Sequence, residues 1–346
     1  MRILSIGSFS GISNTCRFRN NTLKKFADDF DEVNISGPFS FWHKTIYHLF
    51  QLGIPINLPE IGNENEIIKS LVKKSNYDII WIDKGLTVLP STLKKIKEIH
   101  PQTILVNFSP DNMMERPWQS KQYIDCIPLY DYHITTKSFI IDDFYKRNAK
   151  NVILVNKTFQ TDFHFPRKLN QTEQNILKAD IGFVGTWERE RCESILYLVD
   201  HGLKVRVWGD KEWLKYDNYS TNLTITRGGL YSEDYAKSFS AIKICLCFLK
   251  KKAHDGQTAR SIEIPACGGF MLAERTEEHK ALFKEDKEAV YFSSNEELLE
   301  KCRYYLNHDD ERKLIAAAGR QRCIDSDYSN EGMIRNVLSI ILKRKE

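Results

Sequence analysis

Short apolar runs bounded by turn residues alternate along this chain with longer amphipathic stretches, and the alternation sets the fold class. In the first half it predicts strands at Arg2–Gly7, Glu32–Ser36, Asp78–Asp83, Thr103–Phe108, Tyr132–Thr136 and Val152–Asn156. Helices are predicted over Cys16–Phe30, Ser91–His100 and Phe139–Asn148. Short apolar strands joined by helical crossovers make a parallel sheet covered on both faces, a Rossmann-like layer structure. The periodicity lapses over Thr161–Lys178, a polar stretch that reads as a linker. It resumes with strands at Asp180–Val184, Lys204–Trp208, Ile242–Leu249, Phe270–Ala273 and Ala289–Phe292. Helices are expected over Glu188–His201 and from Ser232, and Arg227-Gly228-Gly229 reads as part of a turn-rich connection. After Asn295 the chain is helical: Asn295–Asn307, Asp309–Asp325 and Glu331–Lys343. The expectation is an α/β protein with domains at 1–165 and 179–346 and a linker at 166–178.

At 346 residues the chain suits two domains, each large enough to bury a core. With 42% hydrophobic and 28% charged residues it has the composition of a globular protein, and no apolar run approaches the ~20 residues of a membrane span. The apolar core of the N-terminal stretch is too short for a signal peptide, which predicts a cytoplasmic protein, with peripheral contact at the inner face of the membrane left open. The eight cysteines are scattered, show no CxxC pair and read as buried free thiols. A net charge of +4 is too small and too dispersed for a nucleic-acid partner, but suits an anionic small molecule.

The chemistry concentrates in His254–Glu274, HDGQTARSIEIPACGGFMLAE. Asp255 and Glu263 stand eight positions apart across a glycine turn and a short helix, which brings two carboxylates to one place. Gly256, Gln257 and Thr258 would supply backbone or hydroxyl donors to a phosphate at the helix N-terminus. Glu263 suits the vicinal hydroxyls of a ribose, and its apolar neighbours oblige it to find a partner. Arg260, three residues earlier, either pairs with Glu263 or reaches phosphate. Asp255 is expected to be a catalytic residue at the donor site, the alternative being a helix N-cap.

This segment resembles the carboxylate-x7-carboxylate element of nucleotide-sugar glycosyltransferases with the GT-B fold. More narrowly, ARSIEIPACGGFMLAERTEEHKALF, the following EAVYFSSNEELLEKCRYYLNHDDERKLIAAAGRQRC, ADIGFVGTWERER and LYDYHITTKSF resemble the CgeB-like branch, over most of residues 75–330. Here the first carboxylate is Asp255 where larger relatives carry Glu. The resemblance implies two Rossmann-like domains facing each other across a cleft, with a terminal helix returning to the first domain. It implies a nucleoside diphosphate sugar as donor and a glycan, lipid-linked or protein acceptor, in bacterial surface polysaccharide, glycolipid or glycoprotein synthesis. Arg191 matches the family's phosphate-clamping arginine, beside the turn Gly185-Thr186-Trp187. Asp111 matches its acidic residue after a strand, where a carboxylate orients or deprotonates an acceptor hydroxyl, helix capping being the alternative.

Gly7 and Gly11 bracket the turn after the first strand, where a Rossmann sheet binds ligands, but the turn is not GxGxxG and no acidic residue ends the second strand. This argues against a dehydrogenase. Asp83-Lys84-Gly85 also follows a strand toward the expected cleft. The aromatic stretch 39–50 has Trp42, Ile46, Leu49 and Phe50 at helical spacing, the pattern of a core helix, the alternative being a surface for a lipid-linked or glycan acceptor. No DxD pair follows a strand, so a metal-free transferase with no cofactor is expected. An epimerase or hydrolase of nucleotide sugars and a non-catalytic binding protein remain the rival classes.

Overall fold

The computed structural model describes residues 1–11, 14–38 and 40–343, so Phe39 of the aromatic stretch lies outside it. The chain forms two compact units: Met1–Asn156 with the residues from Met333 on, and Lys157–Gly332. The sequence reading set the boundary at 166–178. It falls nine residues earlier, between Asn156 and Lys157, and Gln171–Leu177 inside the expected linker is a helix with an Asn170/Glu173 capping box.

Unit 1 holds six parallel strands, β1 (Arg2–Gly7), β2 (Asp29–Asn34), β3 (Ile79–Asp83), β4 (Ile104–Ser109), β5 (Tyr132–Thr135) and β6 (Val152–Leu154), in the order β2-β1-β3-β4-β5-β6. Its helices are α1 (Thr15–Lys24), α2 (Phe41–Gln51), α3 (Glu64–Lys74), α4 (Pro90–Ile99), α5 (Lys121–Cys126) and α6 (Ile141–Lys146). Alternate residues serve opposite faces: Ile79 and Trp81 join one core, Ile80 and Ile82 the other. On one face α3 and α4 contribute Ile68, Val72, Leu93 and Ile96. The other face is covered by the last helix, whose Ile334, Val337, Leu338 and Ile341 recur at helical spacing and pack on Ile3, Trp81 and Val106. The terminal helix thus belongs to the first unit's core.

Unit 2 repeats the plan. After α7 (Gln171–Leu177) come β7 (Ala179–Val184), α8 (Arg189–Asp200), β8 (Val205–Gly209), β9 (Leu223–Arg227), α9 (Ser232–Ala241), β10 (Ile242–Cys247), α10 (Ala259–Ala266), β11 (Met271–Glu274), α11 (Glu277–Leu282), β12 (Val290–Phe292), α12 (Asn295–Asn307) and α13 (Asp309–Asp325). The crossing helix α14 (Asn330–Lys343) follows. The sheet order is β12-β11-β10-β7-β8-β9, all parallel. The sequence reading missed β9 as a strand because its mixed polar pattern is that of an edge, with only Leu223 fully buried.

In both sheets the strand order reverses once, between β1 and β3 and between β7 and β10. A crevice outside the carboxyl ends of the strands opens at such a point. All eight cysteines are buried free thiols, and burial pushes thiols such as Cys247 up to about 11.

One buried group makes unit 1 sensitive to acid. His133 on β5 is fully buried between the Tyr130 and Phe144 rings, donates from Nε2 to the Ile127 carbonyl at 2.9 Å, and is held by burial down to about 4. Unfolded, it takes up a proton near pH 6.5. Stability therefore falls as pH drops from 6.5 toward 4, by about 3 kcal/mol in all. Urea melts across that range should show the decline, and His133→Phe should flatten it; an equal slope in both proteins assigns the loss elsewhere.

Candidate functional site

The switch point of unit 2 is built around two arginines. Both arginines reach backbone carbonyls at the carboxyl ends of β7 and β10. Arg260, in the first turn of α10, donates from Nη1 to the Val184 carbonyl at 2.9 Å and from Nη2 to the Phe248 carbonyl at 3.3 Å. Arg191, in the first turn of α8, donates from Nε to the Leu249 carbonyl at 3.2 Å and from Nη1 to the carbonyl and hydroxyl of Thr186. Both guanidiniums lie over the Phe183 ring, at 5.8 and 5.4 Å. Gly185 leaves them room: a Cβ there would fall 2.7 Å from the Phe183 ring and 2.9 Å from Arg260 Nη1.

Burial first and the neighbouring Arg260 charge second pull Arg191 below the usual arginine range, although Glu188 at 3.8 Å opposes this. Two adjoining cations in a buried place favour an anion between or beside them. Arg260 Nε is buried and has no hydrogen-bond partner among the described residues, as is also true of Arg167 Nε and Trp187 Nε1. Arg191, only 4% exposed, is turned inward, so it braces the β7–α8 turn more than it offers itself.

Glu263 lies one turn beyond Arg260 on α10 and is 4% exposed. Of the two alternatives for Arg260, pairing with Glu263 does not form. The Tyr235 hydroxyl on α9 donates to Oε2 at 2.5 Å, and His164 Nε2 stands 3.5 Å from Oε1. His164 Nδ1 accepts from the Gln160 amide, which leaves the ring proton on Nε2, facing the carboxylate. Burial holds His164 below its ordinary range, partly offset by Glu263, and pushes the Tyr235 phenol well up, with Glu263 adding to that. The sequence reading missed both residues. They are far away in sequence, and the one available signal was that Glu263 needed a partner.

The loop ahead of α10 differs from expectation. Thr258 is the N-cap, and its amide donates to Ser261 Oγ at 2.9 Å, so neither Asp255 as cap nor the Thr258 amide as phosphate donor holds. Ser261 in turn donates to His279 Nε2 at 2.7 Å, since His279 Nδ1 must donate to the Glu274 carbonyl. Gln257 is 5% exposed; its side chain accepts from the Lys157 amide and donates to Glu278. Gly256 is pressed against the Glu278 carboxylate, where a Cβ would fall 2.5 Å from Cδ, and its carbonyl accepts from Thr276. Asp255 is half-buried on the same loop, after His254 in the left-handed region. Gly256 and Gln257 thus shape the loop through packing and side-chain bonds.

Unit 1 has its own cavity of about 770 Å³ at the β1/β3 switch point, walled by Ser8, Tyr47, Leu58, Asp83, Lys84 and Asp111 among others. Asp111 pairs with Lys84 at 2.5 Å in its wall. Asp83 is not presented to a ligand: Arg19 of α1 grips it with two bonds of 2.8 Å, both residues 6% exposed at their side chains. Gly7 is a packing residue, with a Cβ there 2.7 Å from Cys16 Sγ, and Gly11 is exposed with φ of +90°. Neither lines the cavity; Ser8 does.

Residues 189–339 match the model of a glycosyl transferase-like family. No curated protein matches the chain significantly. Among solved structures, sucrose-phosphate synthase from Thermosynechococcus elongatus is similar over all of both chains, with 11% identity and a TM-score of 0.67. HepE from Anabaena, in complex with UDP and glucose, is similar over 98% of this chain and 99% of its own, with 13% identity and a TM-score of 0.64. A glycosyltransferase from Rickettsia africae is similar over 98% and 97%, with 14% identity and a TM-score of 0.62. The fold is the α/β GT-B fold, and residues 189–339, most of them in the second unit, are similar to a glycosyl transferase-like domain.

The Tyr235–Glu263 bond makes a direct prediction. Tyr235→Phe removes a charge-assisted hydrogen bond from a buried carboxylate and should cost unit 2 about 1.5–3 kcal/mol in urea unfolding. Combined with Glu263→Gln, the two losses should add to less than their sum. Strict additivity would separate the pair energetically.

Proposed function

We propose that this protein is a glycosyltransferase that moves a sugar from a nucleoside diphosphate sugar to a hydroxyl acceptor. The observation that carries the reading is the Arg260 guanidinium: fixed at the β7/β10 switch point, beside a second arginine, with a buried Nε–H lacking a partner, one turn before a buried carboxylate. An anion of the diphosphate class supplies the missing acceptor, and Glu263 takes the ribose hydroxyls, with Tyr235 and His164 holding its position. The match to a glycosyl transferase-like family and the UDP-bound HepE relative support the same donor class.

In the reaction the bond between the anomeric carbon and the leaving phosphate oxygen breaks, and that oxygen keeps the electron pair. The acceptor oxygen bonds to the anomeric carbon and its proton passes to a base. Arg260 and the first-turn amides of α10 stabilise the departing charge, an effect worth roughly 10²–10³ in rate per donor in preorganised sites. Asp255, on the loop before α10, stands for the donor sugar. The unit 1 cavity is the acceptor site in this reading, with Asp111 orienting or deprotonating the hydroxyl and Lys84 holding its carboxylate. The CgeB-like placement, a cytoplasmic setting and a role in bacterial surface polysaccharide, glycolipid or glycoprotein synthesis belong to the same proposal. Two guanidiniums and a helix N-terminus provide positive charge at the phosphate site, so the reaction is proposed to run without metal.

Calorimetric titration with UDP and other nucleoside diphosphates tests the donor site. Glu263→Gln should weaken the preferred nucleotide ten- to a hundredfold, about 1.5–3 kcal/mol, with the melt lowered no further than Tyr235→Phe lowers it. Unchanged affinity removes Glu263 from the site, and a collapsed melt makes it purely a structural partner of Tyr235. Release of the nucleoside diphosphate should require an acceptor; release with free or altered sugar in its absence identifies a hydrolase or epimerase. Transfer should also survive EDTA, and full loss restored by magnesium or manganese overturns the metal-free mechanism.

A further inference from the structure

Helix α2 is not the core helix its spacing predicts. Of its eleven residues only Phe50 is buried, while Phe41 and Trp42 in the first turn are 75% and 69% exposed. Just past its end, Leu52 and Ile54 are 67% and 43% exposed. Large apolar side chains thus stand in water at both ends of a helix of about 16 Å. Such exposure in one place marks a contact surface.

The element is firmly held despite this exposure. Ser40 caps its start with His43 in a reciprocal capping box, and His43 Nε2 donates to the Glu60 carbonyl at 2.9 Å. At its end Arg116 lies over the Phe50 ring at 5.2 Å and donates to the Phe50 and Gly53 carbonyls, while Gln51 donates back to the Arg116 carbonyl. His43, Lys44 and Tyr47 of the same helix line the unit 1 cavity. The helix is therefore a wall of that cavity with apolar side chains displayed at either end.

Charge selects the occupant. From Val33 to Pro59 the chain has no aspartate or glutamate, in a protein that is 28% charged, and its one charged residue is Lys44. Aromatic rings and leucine flanking a lysine, with no carboxylate to repel phosphate, match the interfacial region of an anionic bilayer. At eleven residues α2 is too short to cross a hydrocarbon core of about 30 Å, so its contact is lateral.

We propose that α2 and the following turn seat this protein on an anionic lipid surface, with the rings of Phe41 and Trp42 and the side chains of Leu52 and Ile54 in the headgroup layer. An acceptor carried on a lipid can then enter the cavity beside the helix. That last step rests on the transferase reading, whereas the seating itself does not.

Flotation of the full chain with phosphatidylcholine vesicles, with and without phosphatidylglycerol, tests the surface. Binding is expected with phosphatidylglycerol and should weaken with salt. The Phe41→Ser/Trp42→Ser double variant should lower the bound fraction roughly tenfold, and Leu52→Ser should lower it in the same direction. Brominated lipids should quench tryptophan fluorescence in the wild type and much less in Trp42→Phe. Failure of the wild type to float, equal flotation of the variants, or self-association by sedimentation without flotation each overturns the proposal. A melt and a UDP titration of every variant, in solution without lipid, keep the two readings apart: intact UDP binding without flotation sinks only the lipid surface, and flotation without UDP binding sinks only the donor site.

Discussion

Carbonyl groups at the carboxyl ends of β7 and β10 point out of a sheet buried on both faces, where an unsatisfied acceptor costs on the order of 1–3 kcal/mol. Arg260 and Arg191 satisfy them, and the site follows from that solution. Carbonyls are taken up from opposite sides of the switch point, so the ends of β7 and β10 are tied through two planar side chains. The same act places two positive charges together with little solvent, and α10 adds its own N-terminal dipole. A structural need of a parallel sheet thereby becomes an anion-binding arrangement.

Unit 1 meets the corresponding need differently. Its switch point is closed by the Arg19–Asp83 pair, each partner satisfying the other, with Arg19 4.1 Å above the Phe108 ring. A paired guanidinium and carboxylate leave no net charge there. Breaking such a buried pair from one side typically costs 3–5 kcal/mol, which makes it a part of the scaffold. The adjoining cavity is lined by apolar residues such as Ile35, Leu58 and Ile61 and is polar where Lys84 meets Asp111, as suits a ligand with both characters. The two sheets share a topology and diverge in charge at the same topological place.

Cooperation between neighbouring bonds also decides the form of α10. Thr258, Ser261, His279 and the Glu274 carbonyl form one chain of hydrogen bonds beneath its first turn, and burial keeps His279 neutral, as that chain requires. Gln257 and Glu278 fix the preceding loop from the other side. The helix start is thus rigid before any ligand arrives, which lowers the ordering cost of binding.

Much was legible without coordinates. Apolar runs of strand length, helical crossovers and glycine turns specify parallel α/β layers, because backbone period and burial act locally; the mixed pattern of edge strand β9, the capped helix inside the polar stretch and the short helices α5 and α11 escaped. The spacing of Asp255, Arg260 and Glu263 was likewise readable, since three residues on one loop and helix have their separation set by the chain itself. Partner choice was not. Glu263 found Tyr235 and His164, 28 and 99 positions away, and Arg260 found strand-end carbonyls instead of Glu263. Helical spacing in α2 could not tell a core face from an exposed one, because that depends on what packs against it. The sequence by itself determined which groups had to be satisfied and how far apart they stand along each element; tertiary packing decided who satisfies them, because a hydrogen bond or a buried contact is made with whatever the fold brings within a few ångströms.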